Sequence, residues 1–419
     1  MSYVAFVVFG IAAIAAIPIA HALLLGALAA TIYSDRVPLN MVVEQMVSQV
    51  QSFPLIAIPF FILTGALMMG GNLGKTLVGF MTTLLGRFHG GPAQVGVLSS
   101  AVFGGVSGSA VADASALGSM LIPWQKSLGY PGSFAAATLA AAATIDILIP
   151  PSIPLIIFAL VSNASIGALF LAGLLPGLML TLGFTIVCNI VGRNKNYPRE
   201  VRPISAKILL REVGLASPAL ALPVLIIIFL RFGVATPTEV SVVSSLYAGV
   251  VSAVVYRDLT LKRIRMAVLE AGVATGVVLL VIMASSAVGW IVTYEQLPAA
   301  FADYAKNTLQ APWLIIAAMN VIMLFAGMFI DLPAAVLLLT PIFVPLAAMA
   351  GMDTVQLGVM MVVNLALGLY TPPVGTTLFI TSSIAKVKIG ETVRALVPFY
   401  FVALTVLLLM SYVPAMTIR

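Results

Sequence analysis

The sequence predicts an all-α, polytopic membrane protein with two inverted repeats, each containing a re-entrant helical hairpin and a broken helix. Three observations predict this fold class. Of the 419 residues, 61% are hydrophobic and only 8% are charged, whereas soluble domains carry about 25% charged residues. Two distant segments share one pattern of prolines, and the basic residues concentrate in two loops between apolar runs.

The proline pattern is an internal repeat. Pro123 precedes Pro150 by 27 residues and Pro345 precedes Pro372 by the same 27, so a single shift of 222 residues superposes both pairs. Duplicated halves with interrupted helices at matching positions indicate the binding site of a transporter.

The basic loops orient the chain. Six of the 20 Lys and Arg residues lie between Arg193 and Arg211, and four more lie between Arg257 and Arg265. A basic run can be a solvated face or a nucleic-acid patch, but between long apolar runs it indicates a cytoplasmic loop. We therefore expect no nucleic-acid partner.

Charge and hydropathy divide the chain into four parts. These are an N-terminal span with an amphipathic segment, which belongs to the scaffold (1–53), a first repeat (54–191), a cytoplasmic basic loop with two scaffold spans (192–269), and a second repeat (270–415). The first repeat contains a hairpin at 93–124 and a broken helix at 131–162. The second contains a hairpin at 312–349 and a broken helix at 355–385. Corresponding pieces of the two repeats then face opposite sides of the membrane. The first apolar run, 4–33, is either one outward span or a bent pair interrupted at Pro18.

A Pro-Pro pair interrupts each broken helix near its middle, at Pro150-Pro151 and at Pro372-Pro373. Proline removes a backbone donor and clashes with the preceding turn, so both pairs should unwind the helix and free carbonyl oxygens. Such backbone is tolerated at membrane depth only where it is buried or lines a cavity. Two structural kinks are the alternative, but the equivalent positions favour a binding site.

The two hairpin tips contain oxygen-bearing side chains. The first tip, GGVSGSAVADASALG (104–118), contains Ser107, Ser109 and Asp113, and the second, GMFIDLPAAV (327–336), contains Asp331. A serine here can simply allow close helix packing. A carboxylate at the bilayer centre costs about 3 kcal/mol and predicts a functional site, although either aspartate could instead cap a half-helix.

The segments GGVSGSAVADASALG, IPPSIP, TPTE, GMFID and LGLYTPPVGTTLF resemble the large membrane subunit of tripartite ATP-independent periplasmic (TRAP) transporters, the dicarboxylate and sialic-acid type M subunit. The resemblance covers nearly the whole chain. It implies an elevator transporter, in which a domain with both hairpins and both broken helices moves past a static scaffold. It also implies sodium-driven import of a small carboxylate across the cytoplasmic membrane of a bacterium or archaeon, without an organic cofactor.

The resemblance implies two protein partners as well as the lipid bilayer. One is a soluble periplasmic (P-type) binding protein that delivers the substrate. The other is a small four-helix (Q-type) membrane subunit, which is fused to the large subunit in some members. Because neither end of this sequence contains four additional spans, we expect the Q-type subunit to be a separate chain.

Candidate site residues follow from these motifs and are expected to form at least two sodium sites. The sodium candidates are Ser107, Gly108, Ser109, Pro150 and Ser152 in the first half and Gly327, Asp331, Thr371 and Gly375 in the second. The substrate candidates are Ser109, Asp113, Pro151, Thr376 and Thr377. No role is transferred to Asp146, because the family pattern has a smaller or neutral residue there.

Three other classes of protein are compared with this interpretation. GVSG at 105–108 fits an intramembrane serine protease motif, but the two histidines, His21 and His89, lie outside the later spans that would have to supply a base. We therefore expect no catalytic residues. A stand-alone sodium-coupled dicarboxylate carrier typically has the triplet Ser-Asn-Thr at both hairpin tips, and neither tip of this chain contains that triplet. A channel is the third alternative, because broken helices and inverted repeats also occur in channels.

Overall fold

The computed structural model describes residues 1–15, 17–34, 37–69, 72–200, 206–309 and 311–417. In these ranges the chain forms helices and no strand, and seven helices are long and apolar enough to cross a membrane, or eight if one bent pair counts as a span. The expected all-α, polytopic fold class is therefore confirmed.

The helices are α1 Ser2–Ile14, α2 Ile19–Ser34, α3 Leu39–Val50, α4 Ala57–Met69, α5 Asn72–Leu85, α6 Gly91–Ser107, α7 Ala110–Ser127, α8 Gly132–Ala142, α9 Ile153–Ser162, α10 Ile166–Asn194, α11 Ala206–Arg231, α12 Pro237–Val250, α13 Leu261–Tyr294, α14 Leu297–Thr308, α15 Pro312–Phe329, α16 Leu332–Met349, α17 Thr354–Gly368, α18 Thr376–Ala385 and α19 Ile389–Tyr412. Short 3-10 turns follow α3, α8 and α19, and a π-helical turn, Val251–Val255, extends α12.

The N-terminal apolar run forms two helices rather than a single outward span. Helices α1 and α2 pack against each other, and a Cβ placed on Gly26 would lie 2.6 Å from the carbonyl oxygen of Ala5. Such close contact between residues on either side of Pro18 means that the chain folds back there. Of the two alternatives for 4–33, the interrupted pair is the one that the structure contains.

Helical hairpins and interrupted helices lie at the positions indicated by the sequence. Helices α6 and α7 meet at Gly108 and Ser109, and α15 and α16 meet at Ile330 and Asp331. The chain is non-helical from 146 to 152, between the 3-10 turn after α8 and α9, and it is interrupted again between α17 and α18. The division into repeats and their inverted orientation in the bilayer stay predictions.

Glycines allow each hairpin to contact the interruption of its own half. A Cβ on Gly104 would lie 2.8 Å from the Cα of Asp146, and one on Gly368 would lie 2.3 Å from the carbonyl oxygen of Gly327. Helix α18 packs against α7 and α8 of the first half, while the long helix α13 packs against α2, α3, α4 and α16. Both interruptions and both tips are thereby collected in one region beside α13.

Candidate functional site

A cavity of about 710 Å³ lies between the two hairpin tips, the two interruptions and α13. First-turn residues from four helices line it: Ala110 of α7, Ile153 of α9, Leu332 of α16 and Thr376 of α18. Each of these helices begins at a tip or at an interruption, where proline and glycine prevent the preceding helix from continuing. The sequence thus directs four helix N-termini to one cavity.

The cavity is suited to a small anion. The first turn of a helix carries unpaired N–H groups and about half a positive charge. Among the described residues that line the cavity none is Arg, Lys or His, and most are apolar. Asp331 is the one carboxylate there. An anion in this cavity would therefore be bound by main-chain N–H groups and hydroxyls such as those of Ser109 and Thr376.

A smaller cavity of about 70 Å³ lies between the second tip and the second interruption. Gly327, Asp331, Gly375 and Thr376 line it, and the buried hydroxyl of Thr376 has no hydrogen-bond partner among the described residues. The volume exceeds the roughly 30 Å³ occupied by a water molecule. A small cation fits there beside oxygen atoms of the kind that alkali cations prefer. Asp331 and Thr376 line both cavities.

Asp146 anchors the first tip, although sequence reasoning assigned it no role. Its buried carboxylate accepts hydrogen bonds from the hydroxyl of Ser107 at 3.2 Å and from the backbone N–H groups of Gly108 at 3.3 Å and Ser109 at 2.8 Å. The closeness of Gly104 makes this approach possible.

The internal repeat contained a signal for Asp146. The 222-residue shift places Asp146 on Gly368 and Ser109 on Asp331. Each half therefore has one carboxylate where tip and interruption meet, at the interruption in the first half and at the tip in the second. Comparing the two halves position by position would have identified Asp146 as the partner of the first tip.

A second large cavity, of about 450 Å³, adjoins the first along α7. Ser109 lines both, and Ser115, Ser119 and Glu270 continue the lining of the second cavity. Near the far end of α7, Lys126 donates a 2.8 Å hydrogen bond to the carbonyl of residue 385, at the end of α18. The second cavity therefore leads from the tip towards the end of the molecule where basic residues concentrate.

The structure brings together most of the predicted site residues. The main cavity is lined by Gly108, Ser109, Asp331 and Thr376, the second cavity by Ser107, and the small one by Gly327 and Gly375.

The remaining candidates of the first half form the tip and its support. Ser107 and Gly108 bind Asp146. The hydroxyl of Ser152 donates to the carbonyl of Ile147 at 2.5 Å and accepts from the N–H of Leu155, which fixes the start of α9.

Other candidates lie away from the cavities. The hydroxyl of Thr371 donates to the carbonyl of Leu367 at 2.6 Å, and that of Thr377 lies within 3.1 Å of the carbonyl of Ala140. Asp113 lines neither large cavity. Pro150 and Pro151 form the interruption itself, with the carbonyl of Pro151 against Gly108.

Comparison with known proteins agrees with this architecture. Residues 4–416 match the family model described as "Tripartite ATP-independent periplasmic transporter, DctM component". The chain belongs to this family. Its members are transporter permeases rather than enzymes, so the family assignment also removes the protease alternative.

Several relatives are similar over most of their length. An uncharacterised protein of Sinorhizobium fredii is 51% identical, with both chains covered completely. The C4-dicarboxylate TRAP permease DctM of Pseudomonas aeruginosa is 37% identical over 88% of this chain and 86% of its own. The sialic acid TRAP permease SiaM of Vibrio cholerae is 37% identical over 96% of this chain and 94% of its own.

Two more comparisons bear on the assembly and the fold. The isethionate TRAP permease DctMQ of Oleidesulfovibrio alaskensis is 34% identical over 97% of this chain, which covers only 64% of that longer protein. The YdaH transporter of Alcanivorax borkumensis superposes with a TM-score of 0.63 over 87% of this chain and 86% of its own, at 14% identity. At that identity the likeness concerns the fold alone.

Proposed function

We propose that the chain is the transport subunit of a sodium-driven, binding-protein-dependent importer of small carboxylates in the bacterial cytoplasmic membrane. The observation that carries this proposal is the convergence of four helix N-termini on one cavity without a basic side chain. Such a cavity favours a compact anion whose charge is spread over carboxylate oxygens. C4-dicarboxylate and sialic acid, named for two relatives, both fit this description.

Asp331 provides a physical reason for coupling the anion to sodium. Its negative charge borders the main cavity and would repel a carboxylate substrate by on the order of 3 kcal/mol at about 5 Å and an effective dielectric of about 20. A cation in the small cavity, against Asp331 and the free hydroxyl of Thr376, removes that repulsion. Sodium and substrate then bind more tightly together than apart.

A second sodium ion would bind at the first tip. The oxygen of Ser107 can still accept while its hydrogen is donated to Asp146, and the carbonyl of Pro151 lies against Gly108. These oxygens, with the main chain near Pro150 and Ser152, are the ligands that we propose for this ion. For the substrate, the hydroxyls of Ser109 and Thr376 are better placed than the side chains of Asp113 and Thr377.

The packing of the helices supports an elevator movement, which we propose as the mechanism of transport. The hairpins and interrupted helices contact one another, while α13 packs with α2, α3 and α4 and meets the first group along α16. We propose that the first group moves past the second. The cavity along Ser115 and Ser119 leads towards the basic end, so this conformation is open to the cytoplasm.

The proposed assembly has two further components, a periplasmic binding protein and a small membrane subunit. The name DctMQ and its greater length are consistent with fusion of the two membrane components in one relative. We propose that the small subunit of this transporter is a separate chain.

Reconstitution tests the proposed function. The chain and its small membrane partner are placed in liposomes, and uptake of a labelled C4-dicarboxylate or sialic acid is measured with and without binding protein and an inward sodium gradient. We expect uptake only when both are present. Uptake with sodium but without the binding protein would identify a stand-alone carrier, and flux with neither would identify a channel.

A further inference from the structure

Glu270 is the one charged residue among the described residues that line the second cavity. It belongs to α13, which is long and apolar enough to cross a membrane from Leu261 to Tyr294, and it lies about 14 Å along the helix axis from the first residue of that helix. From 266 to 274, one turn on either side of Glu270, the sequence contains no other charged residue. A carboxylate on a helix surface is often merely solvated, but one within a membrane span is costly and indicates a function.

Glu270 stands between the basic end of the molecule and the main cavity. Along α13, three basic residues at 262–265 come first, Glu270 follows, and Ala274, one turn later, lines both cavities. One turn of helix corresponds to about 6 Å. This distance is shorter than the screening length of about 8 Å at physiological ionic strength. An anion at the edge of the main cavity is therefore repelled by Glu270.

The α7 side of the second cavity carries hydroxyl groups and no positive charge to offset Glu270. Ser115 and Ser119 line it at exposed positions, and Ser107 and Ser109 line it at the hairpin tip. A cleft whose only charge is negative concentrates cations and excludes anions. The second cavity is thus suited to the passage of sodium and opposes the return of a carboxylate.

The charge acts in one conformation of the proposed elevator. Glu270 lies on α13, which packs with α2, α3 and α4, whereas the hairpins and interrupted helices form the group that moves past them. A substrate held by the moving group comes close to Glu270 only when the main cavity opens towards the basic end. We infer that Glu270 is a release element, a charge that weakens binding of the carboxylate substrate in the conformation open to the cytoplasm. This role rests on the proposed function and assigns to one residue the step in which substrate leaves.

The same charge has the opposite effect on sodium. Ser107, a proposed ligand of the ion at the first tip, lines the cavity that contains Glu270. Removal of the charge should therefore tighten binding of substrate from the cytoplasmic side and weaken binding of sodium from that side. A general loss of structure would weaken both, so the opposite signs distinguish an electrostatic role from a structural one.

Charged thiol reagents measure the potential in the cavity without transport. The chain with its small membrane partner carries Ser115→Cys, and the rates of its reaction with a cationic and an anionic methanethiosulfonate reagent are compared. Adding Glu270→Gln should lower the ratio of the cationic to the anionic rate by roughly fivefold, as expected for unit charges about 8 Å apart in water. The difference should shrink in about 1 M potassium chloride, where the screening length is about 3 Å.

Two further variants serve as controls for the reagent ratio. Glu270→Asp keeps the charge and should keep the ratio. Glu391→Gln removes a carboxylate at an exposed position in the first turn of α19, outside the lining of the second cavity, and should leave the ratio unchanged.

Inhibition of uptake by internal substrate tests the release step itself. Liposomes are loaded with increasing concentrations of unlabelled C4-dicarboxylate or sialic acid, and uptake of the same labelled compound is started with binding protein and an inward sodium gradient. In Glu270→Gln the internal concentration that halves the initial rate should be lower, by roughly twofold for a monoanion and fivefold for a dianion. The external half-saturating concentration should not change.

Two results with the thiol reagents would overturn the inference. They are an equal ratio with and without Glu270→Gln, and an equal decrease in Glu391→Gln. Normal uptake with unchanged inhibition by internal substrate in Glu270→Gln would also overturn it, while leaving the proposed function intact. Absence of sodium-dependent uptake in the wild type would contradict the proposed function and the release role with it, whereas the reagent ratios would still report the charge in the cavity.

Discussion

The backbone N–H of Ser109 donates a 2.8 Å hydrogen bond to the carboxylate of Asp146, 37 residues further along the chain. The bond joins the turn of a helical hairpin to the helix interruption on which it rests. With two further donors from the same tip, it makes Asp146 the polar anchor of the first half.

Removal of this anchor should destabilise the protein. Asp146→Ala leaves the N–H groups of Gly108 and Ser109 buried without an acceptor, and we expect a loss of about 2 to 4 kcal/mol. The midpoint of thermal unfolding in detergent measures it. Asp303→Ala removes the same side chain from an exposed position on α14 and should change the midpoint little. Equal shifts in both variants would contradict the anchoring role.

The glycine at the first tip should not tolerate a side chain. Gly108 has φ +62°, and a Cβ there would lie 2.4 Å from the carbonyl oxygen of Pro151. We expect Gly108→Ala to cost more than about 1 kcal/mol from the backbone conformation alone, and to reduce uptake because the tip must move. Gly249→Ala in α12, where a Cβ meets nothing within 4 Å, is the control. Normal uptake and unfolding of Gly108→Ala would refute the tight contact.

Two threonines in the second half should differ in their effect on sodium. Thr376 has a free hydroxyl at the small cavity, whereas the hydroxyl of Thr371 is bound to Leu367 within the preceding helix. Thr376→Val should raise the half-saturating sodium concentration by about tenfold, equivalent to roughly 1.4 kcal/mol. Thr371→Val, the same substitution five positions earlier, should have a clearly smaller effect. The reverse order would place the sodium ion elsewhere.

Asp331→Asn should weaken the coupling between sodium and substrate. The amide keeps the shape of the side chain but removes the charge that repels an anion and attracts a cation. Binding of substrate without sodium should therefore improve, while the increase in affinity on adding sodium should shrink. Calorimetric titration of substrate with and without sodium measures both changes. An unaltered sodium effect would contradict the coupling through Asp331.

The cavity along α7 should admit thiol reagents from the basic side. The native cysteine, Cys188, is buried, so the background of labelling should be low. Ser115→Cys and Ser119→Cys lie at exposed positions of the second cavity and should react with an impermeant reagent added from the cytoplasmic side. Ser244→Cys, fully buried in α12, should not react. Labelling only from the periplasmic side would reverse the assignment of the opening.

The sequence alone predicted the local structure of both halves. The Pro-Pro pairs at 150–151 and 372–373 predicted where two helices are interrupted, because adjacent prolines remove two backbone donors and clash with the preceding turn. The single prolines Pro123 and Pro345 lie inside α7 and α16 and interrupt neither helix. Glycine and serine at the tips predicted the hairpin turns. The N-terminal run was ambiguous because Pro18 permits either a kink or a reversal, and only packing of Gly26 against Ala5 distinguishes them.

The tertiary structure decided which side chains face each other. Two threonines beside the same Pro-Pro pair look alike in sequence, yet only Thr376 reaches the cavity. The carboxylates of Asp113 and Asp146 have similar apolar neighbours along the chain, but three donors from a distant tip stabilise one of them and leave the other unpaired. Helix geometry depends on nearby residues and can be read from sequence, whereas partners for a buried charge depend on contacts across the fold.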